Sequence, residues 1–153
     1  FLLKKRIHNI LTIRVGAEDM FKMIGIKKDC NTSIHDLHVS SRVLADILAT
    51  FKPYGFNVSS TVYNCLKNLE FFTQEVRRDV KEGLFGKTLI HPSQIDITNE
   101  VYRVSKDELE EAEIILKKDE AIYRHNDKMI ESSVHKSWAS TILKRFEVYG
   151  VTN

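Results

Sequence analysis

Gly83-Leu84-Phe85-Gly86-Lys87-Thr88-Leu89-Ile90-His91-Pro92-Ser93-Gln94 is the stretch on which the reading of the chain turns. A short apolar run, Thr88 to Ile90, is bounded by Gly86 and Pro92. Ahead of it Leu69, Phe72, Val76 and Val80 recur at helical spacing behind Asn68, a good helix cap, and Gly83 ends that pattern. A second helical pattern, from about Ser93 to Tyr102, begins just past Pro92. The order is helix, tight turn, buried strand and then a polar cluster at the strand's C-terminal end. Chemistry in α/β proteins gathers at that end of a strand.

Two more strands are predicted towards the N-terminus. Phe56 to Tyr63 is one, and the β-branched run Ile10 to Val15, closed by Gly16, is the other. Between them Met20 to Ile26 reads as a short apolar turn or helix, and Lys27 to His38 as a polar loop. Ser40 or Ser41 then caps a helix whose inward face is Val43, Leu44, Ile47, Leu48 and Phe51, stopped by Pro53 and Gly55. Lys4 to Asn9 reads as the end of an earlier helix. Strands alternating with helices over short links predict a parallel sheet.

The alternation stops after Pro92. Ser105 and Glu108 form a capping box that opens a helix through Leu109, Ala112, Ile115 and Leu116. His125-Asn126-Asp127 breaks the chain, and Glu131 to Tyr149 reads as a last helix. Its stripe Val134, Trp138, Ile142 and Phe146 demands burial: Trp138 is expected to pack across a subunit interface in a full-length oligomer, and in an isolated chain the stripe is expected to fold back or stand partly exposed.

Composition narrows the function classes. The 153 residues are 42% hydrophobic and 29% charged, with a net charge of +2, which suits an ordinary globular chain. Basic clusters such as Lys27-Lys28, Arg77-Arg78 and Lys117-Lys118 are small and scattered, so no nucleic-acid surface is expected. No apolar run approaches the roughly 20 residues of a membrane span. Phe1-Leu2-Leu3 precedes Lys4-Lys5-Arg6, the reverse of a signal peptide's charge order. Cys30 and Cys65 lack CxxC spacing and are expected to be reduced thiols in a cytoplasmic protein. Cys30, His35 and His38 are three irregularly spaced candidates for zinc without an obvious fourth, so a zinc site is not expected.

Gly16-Ala17-Glu18-Asp19 is the first candidate site. A carboxylate at a strand's C-terminal end can meet a hard cation, and backbone N–H groups in the turn can hold a substrate carboxylate. The plainer reading of Glu18 and Asp19 is that they cap the following turn. His91 is open to two readings, a hydrogen-bond donor in the site or a support for the strand end. Lys87 alternates with the apolar strand residues, points either to the sheet's mouth or outward, and is left without a role. Tyr63 reads as a core or rim aromatic.

These strings resemble the citrate lyase β-subunit/HpcH–HpaI aldolase family. Gly86 to Gln94 resembles its last barrel strand, Gly-Lys-x-x-Ile-His-Pro-x-Gln, and Gly16 to Asp19 resembles the Gly-Ala-Glu-Asp-Leu that closes its sixth. The resemblance implies Mg²⁺ held by Asp19, with a second carboxylate on a fifth strand outside this chain. It implies substrate binding by Gly16, Ala17, Glu18 and His91. Asp127-Lys128-Met129-Ile130-Glu131 is similar to the family's Gly-x-Met-Ile-Asp, whose Asp acts as acid/base in a neighbouring subunit's site. Glu131 keeps the carboxylate and adds a methylene, about 1.3 Å of reach; the alternative is a carboxylate that favours a helix dipole. Ser60 departs from the pattern, standing where Ile-Asp-x-Val-Tyr has Asp. The segment from Lys128 to Val151 resembles a branch of predicted carbon–carbon lyases encoded with tellurium-resistance or stress-type gene clusters.

The implied fold is the last three strand–helix units of a TIM-type (β/α)8 barrel over residues 1–104. Residues 105–153 would form a helical extension that can swap onto a neighbour. Such a barrel takes about 250 residues, so the chain is expected to be the C-terminal part of one. The implied function is a Mg²⁺-dependent carbon–carbon lyase or aldolase in a homo-oligomer, acting through an enolate on a small carboxylate or 2-oxo acid, with a CoA thioester left open. The rival expectations are a non-catalytic barrel relative that binds a metabolite or partner, and a self-contained α/β binding module.

Overall fold

The computed structural model describes residues 9–117, 122–125 and 127–152. The helix end read over Lys4 to Asn9 lies, up to residue 8, outside them. The chain divides into two compact units, residues 1–101 and 102–153.

The first unit is built on a parallel sheet in the order β1 (Ile13–Arg14), β2 (Val58–Ser60), β3 (Gly86–Lys87). Ile13 stands opposite Val58, and Ser60 opposite Lys87. Helix α1 (Ala17–Ile24) follows β1, α2 (His38–Phe51) precedes β2, α3 (Leu69–Lys81) joins β2 to β3, and α4 (Ile95–Tyr102) follows β3. All three predicted strands exist and are shorter than predicted. The third is displaced towards Gly86, because the ladder ends with Thr88 N–H donating to the Ser60 carbonyl at 3.2 Å. The Ile90 N–H then turns to the side chain of Gln94 at 3.0 Å. Thr88–Ile90 is therefore mostly the exit from the strand.

Local signals behaved as their chemistry requires. Asn68 accepts the Phe71 N–H at the start of α3. Gly83, at φ +85°, makes the turn out of α3, a backbone conformation that L side chains rarely adopt. α2 begins at His38, two residues earlier than its expected cap. Ser40 is spent elsewhere, donating to the Ile34 carbonyl at 2.5 Å. Val15, Leu44, Val58 and Leu84 form the core between sheet and helices, with Ile47, Leu48 and Phe51 packed on it, whereas Val43 is only half-buried and lies outside that cluster.

The expectation of reduced thiols is corrected. Cys30 and Cys65 form a disulfide, with Cα atoms 5.6 Å apart across 35 residues of sequence. The loop after α1 lies against the segment after β2, so thiols distant in sequence meet. Tyr63 Oη donates to the Cys30 carbonyl at 2.8 Å, and Asn68 Nδ2 to Asn31 Oδ1 at 2.9 Å. Closing a loop of this length is worth about 2–4 kcal/mol through the unfolded chain. Cys30→Ser/Cys65→Ser is expected to lower stability by that amount in urea melts. Addition of thiol reductant should shift the parent and leave the variant unchanged.

The second unit packs α5 (Lys106–Lys117) on α6 (Ser132–Tyr149) around Val104, Ala112, Ile115, Ala139 and Ile142. The capping box is present: the Glu108 N–H donates to Ser105 Oγ, and Glu108 Oε2 accepts the Ser105 N–H. The expected chain break is instead the turn of an antiparallel hairpin, β4 (Ile122–His125) and β5 (Lys128–Glu131), with Asp127 at φ 60°. The hairpin's Ile130 belongs to the same core. The α6 stripe is only partly covered, as expected of it in a single chain. Ile142 is 2% exposed, while Val134, Trp138 and Phe146 are 64%, 36% and 38% exposed. Residues four apart advance about 40° beyond a full turn, so three such steps wind around the helix instead of staying on one face.

Candidate active site

The Gly16–Asp19 turn closes β1 and opens α1. Gly16 is the residue before the helix and offers no side-chain cap. The first N–H groups of α1 therefore lack intrahelical partners, and Glu18 and Asp19 sit in that first turn. A Cβ on Gly16 would lie 3.4 Å from Asp19 Oδ2, so glycine leaves this carboxylate room to fold back over the turn. Glu18 and Asp19 are exposed.

A cavity of about 130 Å³ lies at the strand ends, with Gly16, Ala17, Glu18 and Asp19 on one side and Val62 and Thr88 on the other. It brings together four of the sequence-predicted residues. His91 does not line it. His91 Nδ1 accepts the Ser93 N–H at 3.2 Å and meets Ser93 Oγ at 2.9 Å, which caps the 3-10 turn Pro92–Gln94. Gln94, fully buried, ties the strand ends together by donating to the Tyr63 carbonyl at 2.9 Å and accepting the Ile90 N–H. A wider groove of about 490 Å³, lined by Glu18, Lys22, Lys27, Lys28 and both disulfide cysteines, shares the Glu18 wall.

Glu131, in the second unit, is the residue before α6 and is exposed. Its Oε1 accepts from Ser133 Oγ at 2.8 Å, and its carbonyl lies 2.8 Å from His135 Nδ1.

Between the sheet and α3 is a charged cluster that sequence reasoning missed. Lys87 Nζ donates to Glu75 Oε1 and Asp79 Oδ2, each at 2.8 Å, and all three side chains have no exposed surface. Asp79 Oδ1 meets His35 Nε2 at 2.7 Å and accepts from Ser60 Oγ at 2.9 Å. Glu75 Oε2 accepts the Ile34 N–H at 3.3 Å. Lys87 thus points neither to a mouth nor to solvent but beneath α3. The available signal was Phe72, Glu75, Val76 and Asp79 at i, i+3, i+4 and i+7, which puts two carboxylates on the apolar face of α3. Burial, and then the Glu75 charge, raise the Tyr63 phenol above its ordinary pKa. At the rim, burial alone would raise the Asp36 carboxyl, but the Ser33 N–H and Arg78 hold it below the ordinary range. Cys30 and His35 are both engaged here, and among the described residues no group of three metal-ligating side chains is assembled.

A parallel α/β sheet with a carboxylate-bearing turn where its strands end is the arrangement of a barrel enzyme's catalytic face. Residues 1–151 match the family model of carbon–carbon bond lyases of the TIM-barrel fold, and the chain belongs to that family. Citrate lyase subunit beta of Escherichia coli K12 is 30% identical over 112 residues, 69% of this chain and 37% of that protein. A (3S)-malyl-CoA thioesterase of Cereibacter sphaeroides is 36% identical over 63 residues, 41% of this chain and 22% of that one. The crystal structure of CitE from Mycobacterium tuberculosis, in complex with magnesium, acetoacetate and coenzyme A, superposes with a TM-score of 0.66 at 24% identity. It matches 88% of this chain and 51% of its own. A citrate lyase from Burkholderia xenovorans LB400 gives 0.70 at 20% identity, over 92% and 47%. The fold is therefore that of part of a TIM barrel, and the chain spans about half the length of these solved relatives.

Ser60 and Lys87 are paired neighbours in adjacent strands and share the helix-facing side of the sheet. The departure from the family pattern at position 60 thus falls away from the Gly16–Asp19 cavity.

Proposed function

We propose that this chain contributes the last three strands and the C-terminal extension of a Mg²⁺-dependent carbon–carbon lyase acting on a small carboxylate or 2-oxo acid. The observation that carries the reading is the strand-end cavity, which gathers the exposed Asp19 and Glu18 carboxylates and the free N–H groups of α1. This donor set fits Mg²⁺, a hard cation that one or two carboxylates hold together with water and substrate. Asp19 would be its ligand from this chain, and the second carboxylate would come from sequence outside it. When bound, the metal would polarise a substrate oxygen where negative charge develops. The first N–H groups of α1 orient the substrate carboxylate. Val62 and Thr88 close the cavity's other wall, and Glu131 of a neighbouring subunit moves the proton. The lysine-lined groove beside Glu18 supports a substrate with an anionic tail, such as a CoA thioester. A homo-oligomer in the cytoplasm, in a stress or tellurium-resistance setting, completes the proposal. Among the described residues no helix is long and apolar enough to cross a membrane.

The test is turnover of 2-oxo acid and acyl-CoA donors by the full-length protein. Mg²⁺-dependent cleavage is expected, and Asp19→Asn should lower kcat/KM by roughly 100-fold or more, several kcal/mol of transition-state stabilisation. Binding of these compounds without turnover would instead support a metabolite-binding relative.

A further inference from the structure

We propose that the Cys30–Cys65 disulfide is a modification site for small polyanionic thiols, which exchange with it from the lysine-lined groove and attach to Cys30. The inference rests on the geometry of the first unit, not on the catalytic reading.

The disulfide is part of the wall of the 490 Å³ groove. Cys30 is exposed and Cys65 half-buried. An exposed disulfide is open to attack by a thiolate, whereas a buried structural one is shielded. Lys22, Lys27 and Lys28 line the same groove against two carboxylates, Glu18 and Asp29. Asp29 is turned into its own loop, where Oδ1 accepts the Asn31 N–H and the Thr32 hydroxyl, each at 2.8 Å. Lys28 is held in place, with Nζ donating to the Thr32 carbonyl at 2.9 Å and lying 5.1 Å from the centre of the Tyr63 ring. Lys22 and Lys27 are exposed. Positive charge in a concave wall raises the local concentration of an anionic reactant.

The exchange balances without any further oxidant. The incoming thiolate sulfur bonds to Cys30 Sγ as the Cys30–Cys65 bond breaks. The electron pair of that bond leaves on Cys65 Sγ, which then takes a proton from water. The incoming sulfur is oxidised to the disulfide level and Cys65 is reduced to the thiol. Nearby ammonium groups favour both the attacking and the departing thiolate. The loop does not depend on the disulfide alone for its place. Tyr63 Oη donates to the Cys30 carbonyl at 2.8 Å, and Asn68 Nδ2 to Asn31 Oδ1 at 2.9 Å. Cys65 therefore stays within reach of the adduct and can expel it, which makes the modification reversible. While attached, the adduct fills the groove.

The experiment exposes the oxidised full-length protein to coenzyme A, glutathione or cysteamine at equal thiolate concentration. Acid stops the exchange, and peptide masses locate the adduct. Coenzyme A, the most anionic, is expected to open the disulfide at least roughly 10-fold faster than cationic cysteamine, with glutathione between them. The adduct should sit on Cys30, with Cys65 as the free thiol. High salt and the Lys22→Gln/Lys27→Gln variant should each bring the three rates together. Equal rates for the three thiols in the parent, an adduct on Cys65, or no adduct until the protein is unfolded overturns the proposal. The masses decide the matter even if the protein turns over none of the donors, an outcome that would count against the catalytic reading alone.

Discussion

Lys87→Met is expected to remove about 3–5 kcal/mol of folding stability, read from urea melts of the full-length protein. Methionine fills most of the volume of the lysine stem, so the loss comes from charge. Glu75 and Asp79 would be left facing each other with no exposed surface and without the ammonium that each meets at 2.8 Å. Burying an uncompensated carboxylate costs far more than a surface ion pair contributes. Domains of ordinary size are stable by about 5–15 kcal/mol, so this one change should bring the fold near its limit. The triple variant Lys87→Met/Glu75→Leu/Asp79→Leu should recover much of the loss, because an apolar replacement leaves no charge to solvate. A loss below about 1 kcal/mol for Lys87→Met would mean that water reaches the cluster.

The second large effect concerns the proton. Full-length Glu131→Gln and Asp19→Asn variants are each expected to lose turnover by roughly 100-fold or more. Mixed and reassorted, the two should recover activity. In a dimer that shares its sites, one site of each hybrid pairs an intact Asp19 from one subunit with an intact Glu131 from the other. Random reassortment then restores about a quarter of parental activity. No recovery would place Glu131 within its own subunit's site, or outside catalysis altogether. The conformation suits service in trans: Glu131 is exposed where a hairpin meets α6, and Val134 and Trp138 on that helix stand open beside it. Such a patch is unusual without a partner to cover it.

The contrast between these two predictions shows which features could be read from residues in a row. Asp19 and Glu131 lie in short strings whose wording survives out of context. Lys87 lies in such a string as well, yet its role depends on α3, on strand β2 and on the loop before α2. Nothing within a few residues of it reveals that two carboxylates from another element are waiting. The same holds for Cys30 and Cys65, which look like lone thiols until two loops meet. His91 shows the converse: its string left two readings open, a donor in the site or a support for the strand end, and in the fold it caps its own turn.

By itself the sequence determined the order of helices and strands in the first unit and the turn that ends β1. It also determined the cap at Asn68, the Gly83 stop and the Ser105–Glu108 box. Each of these depends on hydrogen bonds or hydrophobic spacing within about one turn of helix or one strand, which the local chain controls. Tertiary structure alone decided the hairpin that carries Glu131 and the face of α6 that is buried. It also decided the disulfide and the anions that surround Lys87. A strand becomes one only when a partner ladder satisfies its backbone, and a helix face is chosen by what packs against it. A buried charge is tolerable only where distant elements bring its counter-charges within hydrogen-bonding distance.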